Sequence, residues 1–269
     1  MRFRTFCLST SLFAALCACN DKPDRPVSTL GEKPVATTPA ATPPAPAPAP
    51  VPAPAPAPVA VATPDAGVGE PAMVVPDSFA DRVKLARELI KDGKTIEGIS
   101  MYNRALELED SAAVHIDLAR ILILDNDVRK AAEQADFALK LAPSSSAAWN
   151  TKGRVLFLSK DLDGAHDAFA KAVELNDDNV WAWNNKGLVE MEQGEWTEAI
   201  ASLERATAGE LAETYMFVNL GRAYEHEKRT VEALAMFKVA AARGSDVAKE
   251  ALGRLADDKS AKAPTAPPQ

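Results

Sequence analysis

The fold is decided by residues 146–179, which read SAAWNTKGRVLFLSKDLDGAHDAFAKAVELNDDN. Apolar and small residues recur at helical spacing in the first part of this stretch, and again after the polar break at Lys160-Asp161. Gly153 and Ala165 are small enough to let two helices approach closely, and Phe169 can fill the space beside them. The stretch therefore predicts two short helices that pack together as one unit.

The same pattern recurs at intervals of 34 residues on both sides of this stretch. The template positions are Trp149, Gly153, Ala165, Phe169 and Ala172. Steps of 34 residues give Trp183, Gly187, Ala199, Leu203 and Ala206, then Phe217, Gly221, Ala233, Phe237 and Ala240, and, backwards, His115, Ala119, Ala131, Ala135 and Ala138. A weaker unit with Gly98, Tyr102 and Ala105 precedes them at a spacing of 33. Because one unit alone cannot bury its faces, the units must stack into an array.

These positions resemble the tetratricopeptide repeat, in which an aromatic residue and a glycine lie in the first helix and Ala, an aromatic residue and Ala lie in the second. The resemblance implies an all-α superhelix of about five helix-turn-helix repeats. The repeats are expected at residues 79–111, 112–145, 146–179, 180–213 and 214–247, followed by a capping helix at 248–257. The repeat domain would thus span residues 78–257, and residues 258–269 would form a disordered tail.

The N-terminal part of the chain differs in composition from the repeats. Sixteen of the 20 prolines lie between Pro23 and Pro76, and Ala-Pro or Val-Pro steps follow one another through residues 45–58. Proline removes a backbone donor and restricts the residue before it to extended geometry. Residues 19–77 are therefore predicted to form a disordered Ala/Pro-rich linker. It would serve as a length-tolerant tether or, alternatively, bind SH3-like domains or the cell wall.

The first twenty residues are typical of an export signal. Arg2 and Arg4 precede an apolar stretch of about 12 residues, which is shorter than the roughly 20 residues needed to cross a bilayer as a helix. The run Leu16-Cys17-Ala18-Cys19 resembles a bacterial lipobox. The resemblance implies a lipoprotein signal peptide at residues 1–18 and a covalent lipid on Cys19. The alternative is an ordinary secretory signal cleaved after Ala18.

A lipid on Cys19 would hold the protein at a membrane without crossing it. Asn20, rather than Asp, follows the cysteine, and the enterobacterial sorting rule then favours the outer membrane, facing the periplasm of a Gram-negative bacterium. All three cysteines lie within the first twenty residues, so no intramolecular disulfide is expected after Cys19. The net charge of −8 includes no long run of one sign, which argues against a nucleic-acid partner.

The sequence contains no recognisable catalytic or metal-binding arrangement. The histidines His115, His166 and His226 lie in different repeats without a cysteine or an HExxH pattern nearby. His115 replaces the early aromatic residue of its repeat, which favours a packing role, and His226 is expected to be exposed or to line the groove. Phosphate-binding, dinucleotide-binding and serine-nucleophile motifs are absent from the sequence. The chain is therefore predicted not to be an enzyme and to hold no metal or cofactor apart from the lipid.

The resemblance also implies a concave groove lined by the first helices of the repeats. Candidate peptide-binding residues at the family's groove positions are Arg120, Asn150, Arg154, Phe157, Trp181, Asn184, Met191, Tyr215 and Arg222. Asparagine amides suit a peptide backbone, arginines suit carboxylates, and the apolar side chains can anchor a partner. The alternative is that Phe157 packs between helices and that the asparagines only solvate the surface.

These features predict a membrane-tethered, non-enzymatic adaptor that binds envelope proteins in its groove. The chain resembles both the tetratricopeptide pilotins that assist secretin assembly for type IV pili and the repeat lipoproteins that scaffold cell-wall hydrolases, and the sequence does not choose between them. The alternative is a structural link of the envelope that self-associates through its repeats. Such a link would contact peptidoglycan through the linker or through Lys259 and Lys262.

Overall fold

The structure, a computed structural model, describes residues 75–261, with side chains described as far as residue 256. This range contains 11 α-helices and no strand. They are α1 (Phe79–Lys91), α2 (Thr95–Leu106), α3 (Ala112–Leu124), α4 (Val128–Leu141), α5 (Ser146–Leu158), α6 (Leu162–Leu175), α7 (Val180–Gln193), α8 (Trp196–Thr207), α9 (Thr214–His226), α10 (Thr230–Ala242) and α11 (Asp246–Ala261). None of these helices is long and apolar enough to cross a membrane.

Several predicted segments lie outside the described residues. They are the signal peptide, Cys19, the linker as far as residue 74 and the tail from residue 262. Lys262, one of the two lysines considered for peptidoglycan contact, also belongs to this part of the chain, and the side chain of Lys259 is not described. Expectations for these segments therefore stay predictions.

The described helices form five consecutive pairs and one terminal helix. Each pair, from α1 with α2 to α9 with α10, makes the extensive contacts of a helix-turn-helix unit. Each second helix also packs against the first helix of the next pair, and the first helices α3, α5, α7 and α9 contact one another in order. This arrangement confirms the predicted all-α repeat fold. We call the continuous face formed by α1, α3, α5, α7, α9 and α11 the inner face.

A residue with a left-handed backbone ends the first helix of every repeat. It is Gly93, Asn126, Lys160, Gly194 or Lys228, with φ between 59° and 83°. The amide that follows it donates to a carbonyl five residues back, as the Asp161 amide does to Leu156 at 3.0 Å. These hydrogen bonds satisfy the helix end and turn the chain sharply into the second helix.

Close packing holds the two helices of each repeat together. In the third repeat, a Cβ atom on Gly153 would lie only 2.6 Å from the Phe169 ring, which is fully buried. The second repeat has Ala119 and Ala135 at the equivalent positions, and both are fully buried. The predicted small residues therefore do bring the paired helices into close contact.

The last helix differs from its predicted bounds. The sequence placed a cap at residues 248–257 and a tail beyond it, but α11 spans Asp246–Ala261. It begins earlier because the Ser245 Oγ accepts a hydrogen bond from the Ala248 amide at 3.2 Å, as an N-cap does. It continues further because the next proline is Pro264.

Candidate protein-binding face

The inner face carries all nine predicted groove residues. They lie on four first helices, namely Arg120 on α3, Asn150, Arg154 and Phe157 on α5, Trp181, Asn184 and Met191 on α7, and Tyr215 and Arg222 on α9. Because these helices contact one another in order, the residues follow one path across the repeats. Arg120, Tyr215 and Arg222 are partly exposed, whereas the other six are buried in this structure.

A row of asparagine amides crosses the inner face from α5 to α9. The Asn185 Nδ2 donates to the Asn150 Oδ1, and the Asn219 Nδ2 donates to the Asn184 Oδ1, both at 2.9 Å. The Asn184 Nδ2 donates to the Asn185 Oδ1 at 3.3 Å and joins the two halves of the row. An amide suits this chain of bonds because it carries both donors and an acceptor. The asparagines therefore connect three repeats instead of only solvating the surface.

The apolar candidates belong to the hydrophobic core. Phe157, Trp181 and Met191 lie in one cluster with buried residues of neighbouring repeats, such as Leu188 and Phe217. The packing alternative thus describes Phe157 in this structure, and it extends to the other two. The buried Trp181 Nε1 has no hydrogen-bond acceptor among the described groups.

Ion pairs connect the first helices at both ends of the inner face. The Arg87 Nη2 of α1 donates to the Asp117 Oδ2 of α3 at 2.9 Å, and the Arg120 Nη1 lies 3.7 Å from the Asp117 Oδ1. At the other end, Arg254 of α11 makes two hydrogen bonds with the Glu225 carboxylate of α9. The Arg254–Glu225 pair is bidentate, a geometry that favours one relative position of α9 and α11.

Arg222 and Tyr215 form a partly exposed pair on α9. They are seven residues apart and therefore lie two helical turns apart on one side of the helix. Burial lowers the pKa of the Arg222 guanidinium, but arginine remains protonated at neutral pH. The pair offers an aromatic ring and a cation to a bound protein segment.

The repeat pattern does not predict five residues that the structure places on the inner face. They are Arg87, Asp117, Asn185, Asn219 and Arg254. Asp117, Asn185 and Asn219 occupy the sixth position of their helices, which is not among the family's groove positions. Arg87 and Arg254 lie on the first and last helices, where the repeat pattern is weak or absent. Both are the ninth residue of their helices, a repeated position that could have revealed them.

Two of the histidines make close contacts with neighbouring side chains. The His115 ring nitrogens lie 2.7 Å from the Gln134 Oε1 and 2.8 Å from the Asp110 Oδ1, and the ring stacks on Phe137. This environment fits the predicted packing role. His226 stacks on Trp196 and keeps half of its side chain exposed. Within residues 75–256, no three His, Cys, Asp or Glu side chains converge as a possible metal site.

The helical pairs and their repeat length correspond to a known family. Residues 71–265 match the family described as the cilia and flagella-associated protein 70 C-terminal domain, a tetratricopeptide-repeat domain. The chain belongs to this tetratricopeptide-repeat family. The matched residues include all the described helices. No curated protein matches the chain.

Solved tetratricopeptide structures share the architecture at low sequence identity. TTC0263 of Thermus thermophilus is 20% identical, with a TM-score of 0.57 over 66% of this chain and 98% of that chain. PilF of Pseudomonas aeruginosa is 18% identical, with a TM-score of 0.60 over 68% of this chain and 86% of that chain. MamA from Desulfovibrio magneticus RS-1 is 18% identical, with a TM-score of 0.52 over 64% of this chain and 99% of that chain. At these identities the likeness establishes the fold alone.

Proposed function

We propose that the protein is a non-enzymatic scaffold that holds a segment of a partner protein against its inner face. The observation that carries this proposal is the continuity of that face. The five first helices and the terminal helix α11 present equivalent positions in order. The asparagine row connects α5, α7 and α9, ion pairs connect α1 with α3 and α9 with α11, and α3 packs directly on α5. Solenoids of stacked helix pairs use such extended surfaces for binding.

The construction of the inner face favours binding in two ways. Its helices are connected before a partner arrives, so little conformational entropy would be lost on association. It also offers Tyr215 and Arg222 at its surface. Aromatic residues and arginines commonly contribute most of the binding free energy at protein interfaces.

We also propose that a lipid on Cys19 tethers this scaffold to the outer membrane, facing the periplasm, with the Ala/Pro-rich linker as a spacer. This part of the proposal rests on the sequence of residues 1–77. In that setting the partner would be an envelope protein, such as a component of a pilus or secretin assembly or a cell-wall hydrolase. A Cys19→Ser variant should lose acyl labelling and leave the membrane fraction. An unchanged membrane fraction would contradict the tether.

The scaffold role can be tested by crosslinked co-purification from intact envelopes, with mass spectrometry to identify what is recovered. The inner-face variant is Tyr215→Ala/Arg222→Ala. Its matched control is Val231→Ala/Lys238→Ala on α10. The control removes one exposed apolar side chain and one cation, as the inner-face variant removes one aromatic side chain and one cation. We expect the inner-face variant to recover about tenfold less of one dominant partner, a loss typical of interface anchors. The control should recover as much as the wild type.

Two outcomes would contradict the scaffold proposal. The first is equal recovery of the same partner from the wild type and both variants. The second is recovery of only the protein itself together with cell-wall fragments, which would favour the alternative of a self-associating envelope link.

A further inference from the structure

An arginine recurs at one position of the inner face. The ninth residue of five of its six helices is arginine, namely Arg87, Arg120, Arg154, Arg222 and Arg254, and only α7 differs. These are five of the eleven arginines between residues 82 and 254, so a high arginine content does not explain the placement. Because equivalent positions of stacked repeats lie on the same face, the five residues form a row along the array.

Contacts between repeats place both ends of this arginine row on the inner face. Arg87 reaches from α1 to Asp117 on α3, and Arg254 reaches from α11 to Glu225 on α9. Arg154, in the middle, is buried. Its charge would therefore act on a bound segment mainly through the electrostatic potential at the surface.

Charge is distributed unevenly along the inner face. At the second, fifth, sixth, ninth, twelfth and thirteenth positions of α1, α3 and α5, the charged residues are the cations Lys84, Arg87, Lys91, Arg120 and Arg154 and one carboxylate, Asp117. At the same positions of α7, α9 and the described side chains of α11, they are Arg222 and Arg254 against Glu192, Glu225 and Glu250. The face formed by α1, α3 and α5 is thus a basic region on a chain whose net charge is −8.

The basic region includes an open depression along α1. Phe79 and Val83 line its apolar part, and Lys84, Arg87 and Lys91 line it together with one carboxylate, Glu88. Lys84 and Lys91 are exposed. An apolar side chain of a partner could lie on the apolar part while carboxylates on either side of it meet the cations.

We propose that the face of α1, α3 and α5 binds an acidic segment of the partner protein, with apolar residues interspersed among its carboxylates. This inference rests on the proposed function, because it names the chemistry of the segment that the scaffold holds. Opposite charge attracts such a segment and like charge rejects basic ones. The guanidinium fork pairs well with carboxylates.

The test uses the full-length protein and a fluorescent synthetic peptide of Glu and Leu at helical spacing, beside analogues in which Gln or Lys replaces Glu. The variant Lys84→Glu/Lys91→Glu reverses two exposed charges of the basic region. The control Lys140→Glu/Lys238→Glu reverses two exposed lysines on the second helices α4 and α10 and gives the same net charge. Fluorescence anisotropy would report the dissociation constants at low and at physiological salt.

We expect the wild type and the control to bind the acidic peptide equally, and the variant to bind it about tenfold more weakly. Binding should weaken with added salt, because exposed charges are screened. The lysine analogue should not bind. The inference is overturned if the acidic peptide does not bind the wild type, if all three peptides bind alike, or if the control loses as much affinity as the variant. Variant-sensitive binding to phosphatidylglycerol vesicles without peptide binding would overturn it in favour of a lipid.

The envelope co-purification separates this inference from the proposed function. If the partner is lost from Tyr215→Ala/Arg222→Ala but retained by Lys84→Glu/Lys91→Glu, the scaffold role stands and the acidic-segment inference fails. If both variants retain the partner, the scaffold role itself fails.

Discussion

The second and third repeats reach the same close packing of two helices with different residues. In the third repeat, Gly153 of α5 faces the fully buried ring of Phe169 on α6. In the second repeat, the equivalent residues of α3 and α4 are Ala119 and Ala135, and both are fully buried. In the third repeat, a large side chain on one helix thus faces a glycine on the other. In the second repeat, two small alanine side chains take the place of this pair. The contact is set by the combined volume of the two residues, as expected for a close-packed interior.

In the first repeat the two helices approach closely at a different pair of positions. Here the glycine lies on the second helix, at Gly98, and the large side chain beside it is Ile90 of α1. A Cβ atom on Gly98 would lie 2.5 Å from the Ile90 Cδ1. The two helices of the first repeat therefore also pack closely, but the glycine occupies the position of Ala131 and Ala165 and not that of Gly153.

Removing the aromatic ring of the third repeat should have the largest effect. Phe169 is 0% exposed, and its replacement by alanine would leave a cavity against Gly153. We expect Phe169→Ala to lower the free energy of unfolding by about 3–5 kcal/mol, measured by denaturant unfolding. A loss below about 1 kcal/mol would show that the stability of the repeat does not depend on the ring. It would contradict the explanation drawn from the comparison with the second repeat.

Adding one methyl group to the third repeat should have the next largest effect. In Gly153→Ala the new Cβ would lie 2.6 Å from the Phe169 ring, and we expect a loss of about 1–3 kcal/mol. In the Phe169→Ala background the same change recreates the alanine pair of the second repeat. There it should be neutral or stabilising, since alanine favours helices over glycine by about 1 kcal/mol. A double-mutant cycle measures this coupling, and equal costs in the two backgrounds would contradict the volume argument.

The smallest expected effect concerns the turns of the third and fourth repeats. Lys160 and Gly194 occupy equivalent left-handed positions, with φ of 66° and 83°. Glycine adopts this conformation without the steric cost that lysine incurs. Lys160→Gly should therefore raise the free energy of unfolding by about 0.5–1 kcal/mol, and Gly194→Lys should lower it by a similar amount. Thermal unfolding measures both variants, and melting temperatures that shift in the same direction would contradict the explanation.

Much of the fold could be predicted from sequence because the packing residues repeat. Gly153, Ala165 and Phe169 recur in register at 34-residue steps, and each repeat position has one environment in a stacked array. The end of α11 was harder to predict. Asp257 carries no signal that ends a helix. The first residue that cannot continue α11 is Pro264, and the helix ends shortly before it.

The inner face was less predictable because side-chain depth depends on neighbouring repeats. Trp181 and Met191 occupy groove positions, but the structure places them in the core with residues of adjacent helices. Asn185 is bonded to Asn150, 35 residues earlier, and neither residue alone indicates that partner. The pattern locates a residue on a helix face, whereas its depth and its bonds require the assembled repeats.

Site-specific photo-crosslinking in intact cells tests most directly the claim that the inner face holds a partner segment. A photoreactive amino acid would replace Tyr215 or Lys84 on the inner face, and Lys140 or Lys238 on the second helices. We expect an adduct with the same partner protein from both inner-face positions and none from the second helices. Adducts from Lys140 or Lys238 without adducts from Tyr215 or Lys84 would contradict the claim, because the partner would then contact the opposite side of the repeats.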